Sequence, residues 1–451
     1  MMILMNLRKG DFKTILALVI GLLLLLGLAP PSLAETHVGG AVIEDTVWTL
    51  DGSPYIVDNS VLVFEGVTLT IEPGAEVRFN ADMVLQVGGE LVAKGTNHQM
   101  ITFTSNQANP MPGDWGYILF SGKSVDAIFD VGGQYTGGSI LQYCVVEYGS
   151  RPRIFFSTGT IVIIESSPFI NSCTIRYNET RGIHIVMKPQ AGPIISDNII
   201  SDNGGGGIYA SVSYAIPRPV LICNNIIKNN GGPGVGCEGG AFSGWGGVIV
   251  TGNIIINNGH SGIHAYRSII THNVIANNVS YRDTGGIWAL NCKIEHNSVI
   301  GNRCEGHRPG GVYISRWGGT TFRYNTVTRN IVPGSANTGG VYVDDNSAGR
   351  VTLAHNNICG NVGYELYTER YSLDATNNWW GTTDEAIIQE KIYDGLDDAS
   401  LGIVDYFPFL FALDPNAPIP PPANLIAWID EGAIHFIWDV VDVNDIAGYK
   451  V

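Results

Sequence analysis

Residues 253–264 read Asn253-Ile-Ile-Ile-Asn-Asn-Gly-His-Ser-Gly-Ile-His264, and the next unit repeats the phrase as Asn273-Val-Ile-Ala-Asn-Asn278. The shared pattern is Asn-x-(Ile/Val)-x-x-Asn, which recurs about every 20 to 31 residues. Its first Asn falls at Asn198, Asn225, Asn253, Asn273, Asn297, Asn325, Asn356 and Asn378. Its second falls at Asn178, Asn203, Asn230, Asn258, Asn278, Asn302, Asn330 and Asn361. Repeats of this length indicate stacked units, none of which can bury its apolar face alone.

The residues between the two Asn positions predict strands, because apolar residues alternate over three to five positions and are mostly Ile and Val. Stacked strands place equivalent residues about 4.8 Å apart. The Asn side chains should therefore lie one above another at a turn, where Asn tolerates left-handed backbone and bonds the next Asn. Solvated Asn-rich loops are the alternative. Composition bias alone, however, would not keep Asn in register with Ile and Gly through eight units.

At these residues the chain resembles right-handed parallel β-helix repeat proteins of the pectin-lyase-like superfamily, over roughly residues 45 to 405. The resemblance implies an all-β fold, a right-handed parallel β-helix solenoid with N-terminal capping coils. It implies no single activity, because that family contains polysaccharide lyases, glycoside hydrolases, phage tailspikes, adhesins and surface proteins of no known chemistry.

The ends of the chain differ from the repeats. Basic residues before an apolar run, Ile15 to Leu28, and a small-residue site ending at Ala34 predict a secretory signal, with an uncleaved anchor as the alternative. After the repeats, a helix is predicted at 384–393, and the last residues resemble a truncated fibronectin type III domain, with an isolated hairpin as the alternative. The predicted organisation is a signal peptide at 1–34, cap and first coils at 35–130, repeats with a C-terminal cap at 131–407, a Pro-rich linker at 408–422 and an incomplete β-sandwich module at 423–451.

Charge and cysteine content exclude some function classes. The net charge is −16, and it becomes −18 once the predicted signal, with three basic residues and one acidic residue, is removed. An acidic surface argues against nucleic acid and anionic membranes as partners. The seven cysteines have no CxxC spacing, so neither metal nor redox chemistry is predicted for them.

One outward column on the predicted sheet is rich in rings, because the residue after each inward apolar position points outward. The column reads His184, Tyr209, Gly236, His264, Trp288, Tyr313, Tyr342 and Tyr367. Such rings are favourable cross-strand neighbours in any sheet. An exposed aromatic track is also a surface on which sugar rings stack. We therefore identify Trp288, Tyr313 and Tyr342 as candidate ligand-binding residues.

In three consecutive units the second Asn and the next inward apolar residue are nine, ten and eleven positions apart, where most units have five, so the loops are longer at one corner. The loops should form a wall beside Trp288, Tyr313 and Tyr342, and long loops on a rigid scaffold often carry function. Solvated variable loops are the alternative. Arg282, Arg303, Arg308 and Arg316 are expected to pair with uronate or sulfate groups of a ligand, and His307 is a further candidate ligand-binding residue.

Carboxylates follow the same strands. Asp344 and Glu369 should lie one strand spacing apart, close enough to raise one pKa or to share a cation. Asp344, Asp345, Glu369 and Arg316 are thus candidate catalytic residues, and Asp344 and Asp345 candidate calcium ligands. Polygalacturonase-like enzymes carry a series of motifs here of which only the Asp-Asp pair is present. Solvated surface charge is therefore the alternative.

The sequence predicts a secreted or cell-surface protein that binds polysaccharide or another cell-envelope glycan, or that serves as a structural or adhesive surface module. A polysaccharide lyase or glycoside hydrolase is the alternative. No nucleic acid partner and no membrane span after signal cleavage are expected, and calcium is the one cofactor considered.

Overall fold

The computed structural model describes residues 35–150, 159–187, 192–213, 218–239, 246–315, 319–333, 338–344, 351–420, 422, 426–430 and 433–437. The predicted signal sequence at 1–34 lies outside these residues. The predicted site residues Arg316 and Asp345 also lie outside the described residues.

The described chain is a parallel β-solenoid of about 12 coils with almost no helix. Each coil contributes one short strand to each of three faces, which we name the first, second and third face in chain order. Strands on a face pair in parallel and in register with the next coil, as at Ile254↔Val274 and Ile263↔Ile287. The prediction of an all-β parallel repeat fold is confirmed.

The first face contains β2 (Thr46–Trp48), β4 (Thr68–Ile71), β7 (Glu90–Lys94), β12 (Ile140–Gln142), β15 (Phe169–Asn171), β18 (Ile194–Ser196), β21 (Val220–Cys223), β24 (Val248–Thr251), β27 (Ile269–Thr271), β31 (Lys293–Glu295), β35 (Thr321–Arg323) and β38 (Thr352–Ala354). The second contains β5 (Glu76–Phe79), β8 (Ile101–Ser105), β13 (Cys144–Glu147), β16 (Thr174–Arg176), β19 (Ile199–Ser201), β22 (Ile226–Lys228), β25 (Ile254–Ile256), β28 (Val274–Ala276), β32 (Ser298–Ile300), β36 (Thr326–Thr328) and β39 (Asn357–Cys359). The third contains β6 (Leu85–Val87), β9 (Ile118–Phe120), β14 (Gly159–Ile164), β17 (Arg181–Met187), β20 (Ile208–Val212), β23 (Val235–Glu238), β26 (Ile263–Tyr266), β30 (Ile287–Leu290), β34 (Val312–Ile314), β37 (Val341–Val343), β40 (Leu366–Thr368) and β42 (Ile392–Tyr393).

At the N-terminal end, β1 (Thr36–Val42) and β3 (Tyr55–Val63) pair along the strands that begin the second and third faces. The remaining pairs are β10 (Ile128–Phe129) with β11 (Tyr135–Gly137), β29 (Val279–Ser280) with β33 (Arg303–Cys304), β41 (Leu373–Asp374) with β43 (Val404–Asp405), and β44 (Ile426–Asp430) with β45 (Ala433–Ile437). A 3₁₀ turn spans Leu50–Gly52, and α1 spans Glu385–Glu390.

Helix α1 is shorter than the predicted 384–393. Asp384 caps its first turn by accepting from the backbone N–H groups of Ala386 and Ile387. The helix ends early because Ile392 and Tyr393 pair with Leu366 and Tyr367 and so extend the third face by one more strand. Ile392 fits the apolar spacing of a helix, but it lies in a strand because the open end of the sheet provides backbone hydrogen-bond partners for it.

Two buried ladders of Asn side chains run along the corners on either side of the second face, as the repeat predicts. The Asn253 Nδ2 donates to Asn273 Oδ1 at 2.9 Å, and Asn273 Nδ2 donates to Asn297 Oδ1 at 3.0 Å. Each of these Asn residues also donates to a backbone carbonyl of the preceding coil, and each backbone N–H donates to the next Asn Oδ1. Every rung therefore satisfies its amide only by bonding two other coils.

The left-handed residue at each corner is the one before the ladder Asn, whereas the sequence suggested the ladder Asn itself. His272, Tyr324 and Arg329 have φ of 57°, 55° and 58°. Such conformations cost a non-glycine residue on the order of 1 kcal/mol. The ladder bonds on the following Asn hold the backbone in this conformation, so residue types that rarely adopt it occur there.

The second ladder ends on a carboxylate. Asn361, its last rung, donates from its backbone N to Glu365 Oε1 at 3.1 Å and from Nδ2 to Glu365 Oε2 at 2.6 Å. Burial raises the pKa of Glu365 to about 7, although the Asn361 donors act to lower it. Glu365 thus takes the acceptor role that the next Asn would have had.

Residues 408–420, part of the predicted linker, lie against the second face and are not a free spacer. Asp414 N donates to Asn357 Oδ1 at 2.8 Å, and the Thr326 hydroxyl donates to Pro418 O. The outward side chains Thr326 and Thr328 are consequently buried. Pro-rich composition indicated stiffness, but it carried no information about this docking.

Within the described residues, no helix is long and apolar enough to cross a membrane. All seven cysteines are free thiols. The predicted fibronectin-like module is described only as the antiparallel hairpin of β44 and β45.

We predict that Asn278→Ala destabilises the fold by about 3 to 5 kcal/mol, because it leaves the buried Asn258 N and Nδ2 without their acceptor and Ile255 O without its donor. Urea midpoints followed by circular dichroism would measure it. Asn97→Ala, at an exposed bend, is the control and should change stability by less than about 0.5 kcal/mol. Equal effects of the two substitutions would contradict the role of the ladder.

A second prediction concerns pH. The unfolded chain releases the Glu365 proton near pH 4.5 and the folded chain near pH 7, so the folded state binds more protons between these values. The contribution of Glu365 to stability is therefore complete below about pH 4.5 and lost as the pH rises to 7. Glu365→Gln should remove this fall, which is on the order of 3 kcal/mol. Parallel stability–pH curves for the two proteins, measured by urea unfolding, would contradict it.

Candidate functional site

The outward column of rings on the third face has the register that the sequence predicts. Successive Cα pairs are His184↔Tyr209, Tyr209↔Gly236, Gly236↔His264, His264↔Trp288, Trp288↔Tyr313, Tyr313↔Tyr342 and Tyr342↔Tyr367. Tyr393 adds one further ring beyond Tyr367. The sequence pattern did not reveal Tyr393 as a column member, because its spacing placed it in the predicted helix.

The rings from His264 onward are stacked face to face. Centroid separations are 4.2 Å between His264 and Trp288, 5.4 Å between Tyr313 and Tyr342 and 4.6 Å between Tyr342 and Tyr367, with interplanar angles of 21° or less. Each interior face is therefore covered by a neighbouring ring, and the edges point outward. The expectation that sugar rings stack on these faces needs correction: a ligand on this part of the column would contact ring edges.

Tyr313 is almost completely buried, at 3% exposure, between Trp288 and Tyr342. The Arg308 guanidinium carbon lies 4.3 Å from the centre of its ring. Tyr313 thus supports the column, whereas Trp288 and Tyr342 are half-buried and retain accessible edges.

The long loops form a wall with its own backbone pairing. Strands β29 and β33 pair in parallel, and Arg303 bridges to Ile331 in the next loop. Arg303 is held by an ion pair with Glu305 in the same loop, whereas Arg282 and His307 are exposed. Of the predicted basic residues that are described, only Arg308 contacts the ring column.

A histidine and aspartate cluster at the base of this wall was not predicted from the sequence. His264 Nδ1 lies 3.5 Å from Asp283 Oδ2. Burial opposes ionisation of Asp283, but its hydrogen bonds with His264 and the Thr284 backbone hold its pKa below the usual value. Burial also lowers the pKa of His260. The Gly259-His-Ser-Gly262 phrase was the available signal for this cluster.

The carboxylates Asp344 and Glu369 lie on adjacent coils, as predicted, and each accepts a tyrosine hydroxyl from the preceding coil. Tyr313 donates to Asp344, and Tyr342 donates to Glu369 Oε1 at 2.5 Å. Burial and the neighbouring Asp344 raise the pKa of Glu369, while the Tyr342 hydroxyl acts to lower it. Glu238 holds the same diagonal position relative to Tyr209, four coils before Tyr313 and Asp344. The pair is thus a recurrent feature of this face.

The predicted calcium site at Asp344 and Asp345 stays a prediction, because Asp345 lies outside the described residues. No group of three or more His, Cys, Asp and Glu side chains in the described part of the chain is arranged to hold a metal ion. Calcium takes six to eight oxygen ligands. Asp344 and Glu369 supply two carboxylates, each already accepting a hydroxyl.

Two family models match the sequence. The model described as "Right handed beta helix region" matches residues 131–278 and 244–379, and the model described as "Pectate-lyase like beta helix domain" matches residues 40–143. No curated protein matches the sequence.

Several solved structures are similar in fold. A mutant of the periplasmic alginate epimerase AlgG is 15% identical with a TM-score of 0.41, and the match covers 83% of each chain. The A-module of the Azotobacter vinelandii mannuronan C-5 epimerase AlgE4 is 14% identical with a TM-score of 0.38, covering 84% of this chain and 91% of that one. The Dettilon tailspike protein is 16% identical with a TM-score of 0.29, covering 72% and 60%. Likenesses at this level carry no information about activity.

The carboxylate pair yields a prediction that needs no ligand. Asp344→Asn should lower the pKa of Glu369, because it removes the neighbouring negative charge, and Tyr342→Phe should raise it, because it removes a donor to the ionised form. Carbon-13 NMR titration of the glutamate side chains would measure both shifts. Tyr367→Phe is the control, since its ring lies in the same column. Shifts of the same sign in the two test variants would contradict these assignments.

Proposed function

Since the chain belongs to the family of proteins with a right handed beta helix region, we propose that its third face binds a polysaccharide along the ring column between Tyr281 and Glu369. The observation that carries the proposal is the coincidence of three features on the same coils. These are the edges of Trp288 and Tyr342, the wall of long loops bearing Arg308, and the tyrosine-bound carboxylates Asp344 and Glu369.

The arrangement fits a linear polymer, because each group recurs at the strand spacing of about 4.8 Å and the column is open along its length. A nucleic acid is disfavoured by the net charge of −16. A peptide strand is disfavoured because the third face is bonded to the next coil on both sides of each interior strand and offers no free edge there. A polysaccharide has apolar ring surface and hydroxyl groups that suit aromatic edges beside polar groups.

Within this proposal, the predicted site residues take different roles. Trp288 and Tyr342 contact the glycan, and Tyr313 holds the column between them. Arg282, His307 and Arg308 are available to acidic substituents, while Arg303 first has to leave Glu305. Arg316 and Asp345 belong to the proposed site on their sequence positions alone.

We further propose that the protein works outside the cytoplasm, on the basis of the predicted signal at 1–34. Residues 35–407 would present the binding face, and the segment from 408 to 422 would hold the C-terminal residues against the solenoid. The hairpin of β44 and β45 would begin a fibronectin-like module that displays the solenoid on a surface.

Cleavage of the bound glycan is a second candidate function, favoured by one observation: the Glu369 carboxyl is partly buried beside Asp344 with a raised pKa. A carboxyl whose pKa is raised by burial and by a second carboxyl group is a feature that acid–base catalysis uses. Release of reducing ends by the wild type, lost in Glu369→Gln with binding retained, would support it. Absence of release from every polysaccharide bound would exclude it.

Affinity electrophoresis against a panel of soluble neutral and acidic polysaccharides tests the binding proposal. We expect the Trp288→Ala/Tyr342→Ala variant to bind at least about tenfold more weakly, because it removes both accessible ring edges. Tyr324→Ala is the matched control, since Tyr324 belongs to a different stacked column, between His296 and His355. Unchanged binding by the double variant, or equal loss in the control, would contradict the proposed site.

A further inference from the structure

The ring column of the third face has one gap. Of the eight column positions from His184 to Tyr367, only Gly236 has no ring. Its flanking neighbours, Tyr209 and His264, are two strand spacings apart, which is on the order of 10 Å between their Cα atoms.

A cavity of about 170 Å³ occupies this gap. Its lining includes Arg181, Tyr209, Pro233, Gly236, Glu238 and His264. One face of the His264 ring is covered by Trp288 at 4.2 Å, so its other face is turned toward the coil of Gly236. The Tyr209 ring leans over Gly236, because a Cβ there would lie 2.9 Å from Tyr209 Cδ2, and this ring meets His184 edge to face, at 89°. A larger side chain at Gly236 would project into the cavity.

We propose that the Gly236 gap is a slot for a single neutral pyranose residue, which lies against the face of the His264 ring that Trp288 leaves uncovered, with Tyr209 at its side. The proposal rests on the proposed function, because the slot adjoins Trp288 and continues the same face toward the N-terminus. It also restores what the stacked part of the column lacks, namely an aromatic face that a sugar can reach.

The charges at the slot favour a neutral sugar over a uronate. The Arg181 guanidinium carbon lies 4.9 Å from the Tyr209 ring centre, and the exposed Glu238 carboxylate also lines the cavity. One positive and one negative group leave little net field, and an ionised carboxylate would lose hydration without a net countercharge. Sugar hydroxyls can donate to Glu238 and accept from Arg181 at the same time.

The test uses His264 as a reporter in histidine-labelled full-length protein. Methyl glucoside, methyl galactoside and methyl mannoside are titrated at millimolar concentration, with methyl glucuronide as the acidic arm. We expect at least one neutral glycoside to shift the His264 ring signals, with the glucuronide binding several-fold more weakly. Absence of any shift, or a shift by the glucuronide alone, would overturn the proposal.

Gly236→Tyr fills the slot with the residue type that the column uses elsewhere. Gly236 is outside the left-handed region, and the Tyr209 ring has to rotate to admit a side chain there. The variant should lose the glycoside response and bind polysaccharide about two- to tenfold more weakly, which is the effect of losing one aromatic contact. Gly236→Val serves if the tyrosine variant does not fold, with the same expectation.

The two proposals fail in different ways. If the wild type and Gly236→Tyr bind polysaccharide equally and no glycoside shifts His264, the slot is wrong and the proposed function stands. If the wild type binds no polysaccharide while neutral glycosides shift His264 only when Gly236 is present, the slot stands and the polymer proposal fails.

Discussion

The hydrogen bonds between stacked asparagines are the constraint on which the rest of this molecule depends. An asparagine amide buried at a corner has two donors and an acceptor to satisfy: its Nδ2 donates to the Asn Oδ1 of the next coil, and its Oδ1 accepts from the Asn of the preceding coil. Because no coil is complete alone, the spacing and register of all coils are fixed together. The ring column on the third face depends on the same constraint: rings stack because the ladders align their strands one coil after another.

Features set by strand alternation could be predicted from the sequence. The Asn ladders, the column from His184 to Tyr367 and the neighbouring positions of Asp344 and Glu369 are all obtained by counting residues within a repeat. Counting residues cannot predict a contact that depends on the direction of a side chain or on a segment distant in the sequence. It could not show that the rings cover one another's faces, that Arg303 is bound to Glu305, or that the segment around Asp414 folds back onto Asn357.

The unpredicted cluster of His260, His264 and Asp283 illustrates the same limit. His264 and Asp283 belong to successive coils, and the loop that brings them within 3.5 Å has no counterpart in most other units. Nothing in the repeat fixes the path of such a loop. Sequence periodicity describes the scaffold, whereas the loops that interrupt it depend on contacts specific to each coil.

The third face presents equivalent positions at a regular strand spacing of about 4.8 Å. A polymer whose own repeat is a simple multiple of that spacing would meet equivalent positions at every repeat. A polymer with any other repeat would lose register with the coils, so that its contacts would be good at some coils and poor at others. Selectivity can thus arise from commensurate length, without any one residue that distinguishes one monomer from another.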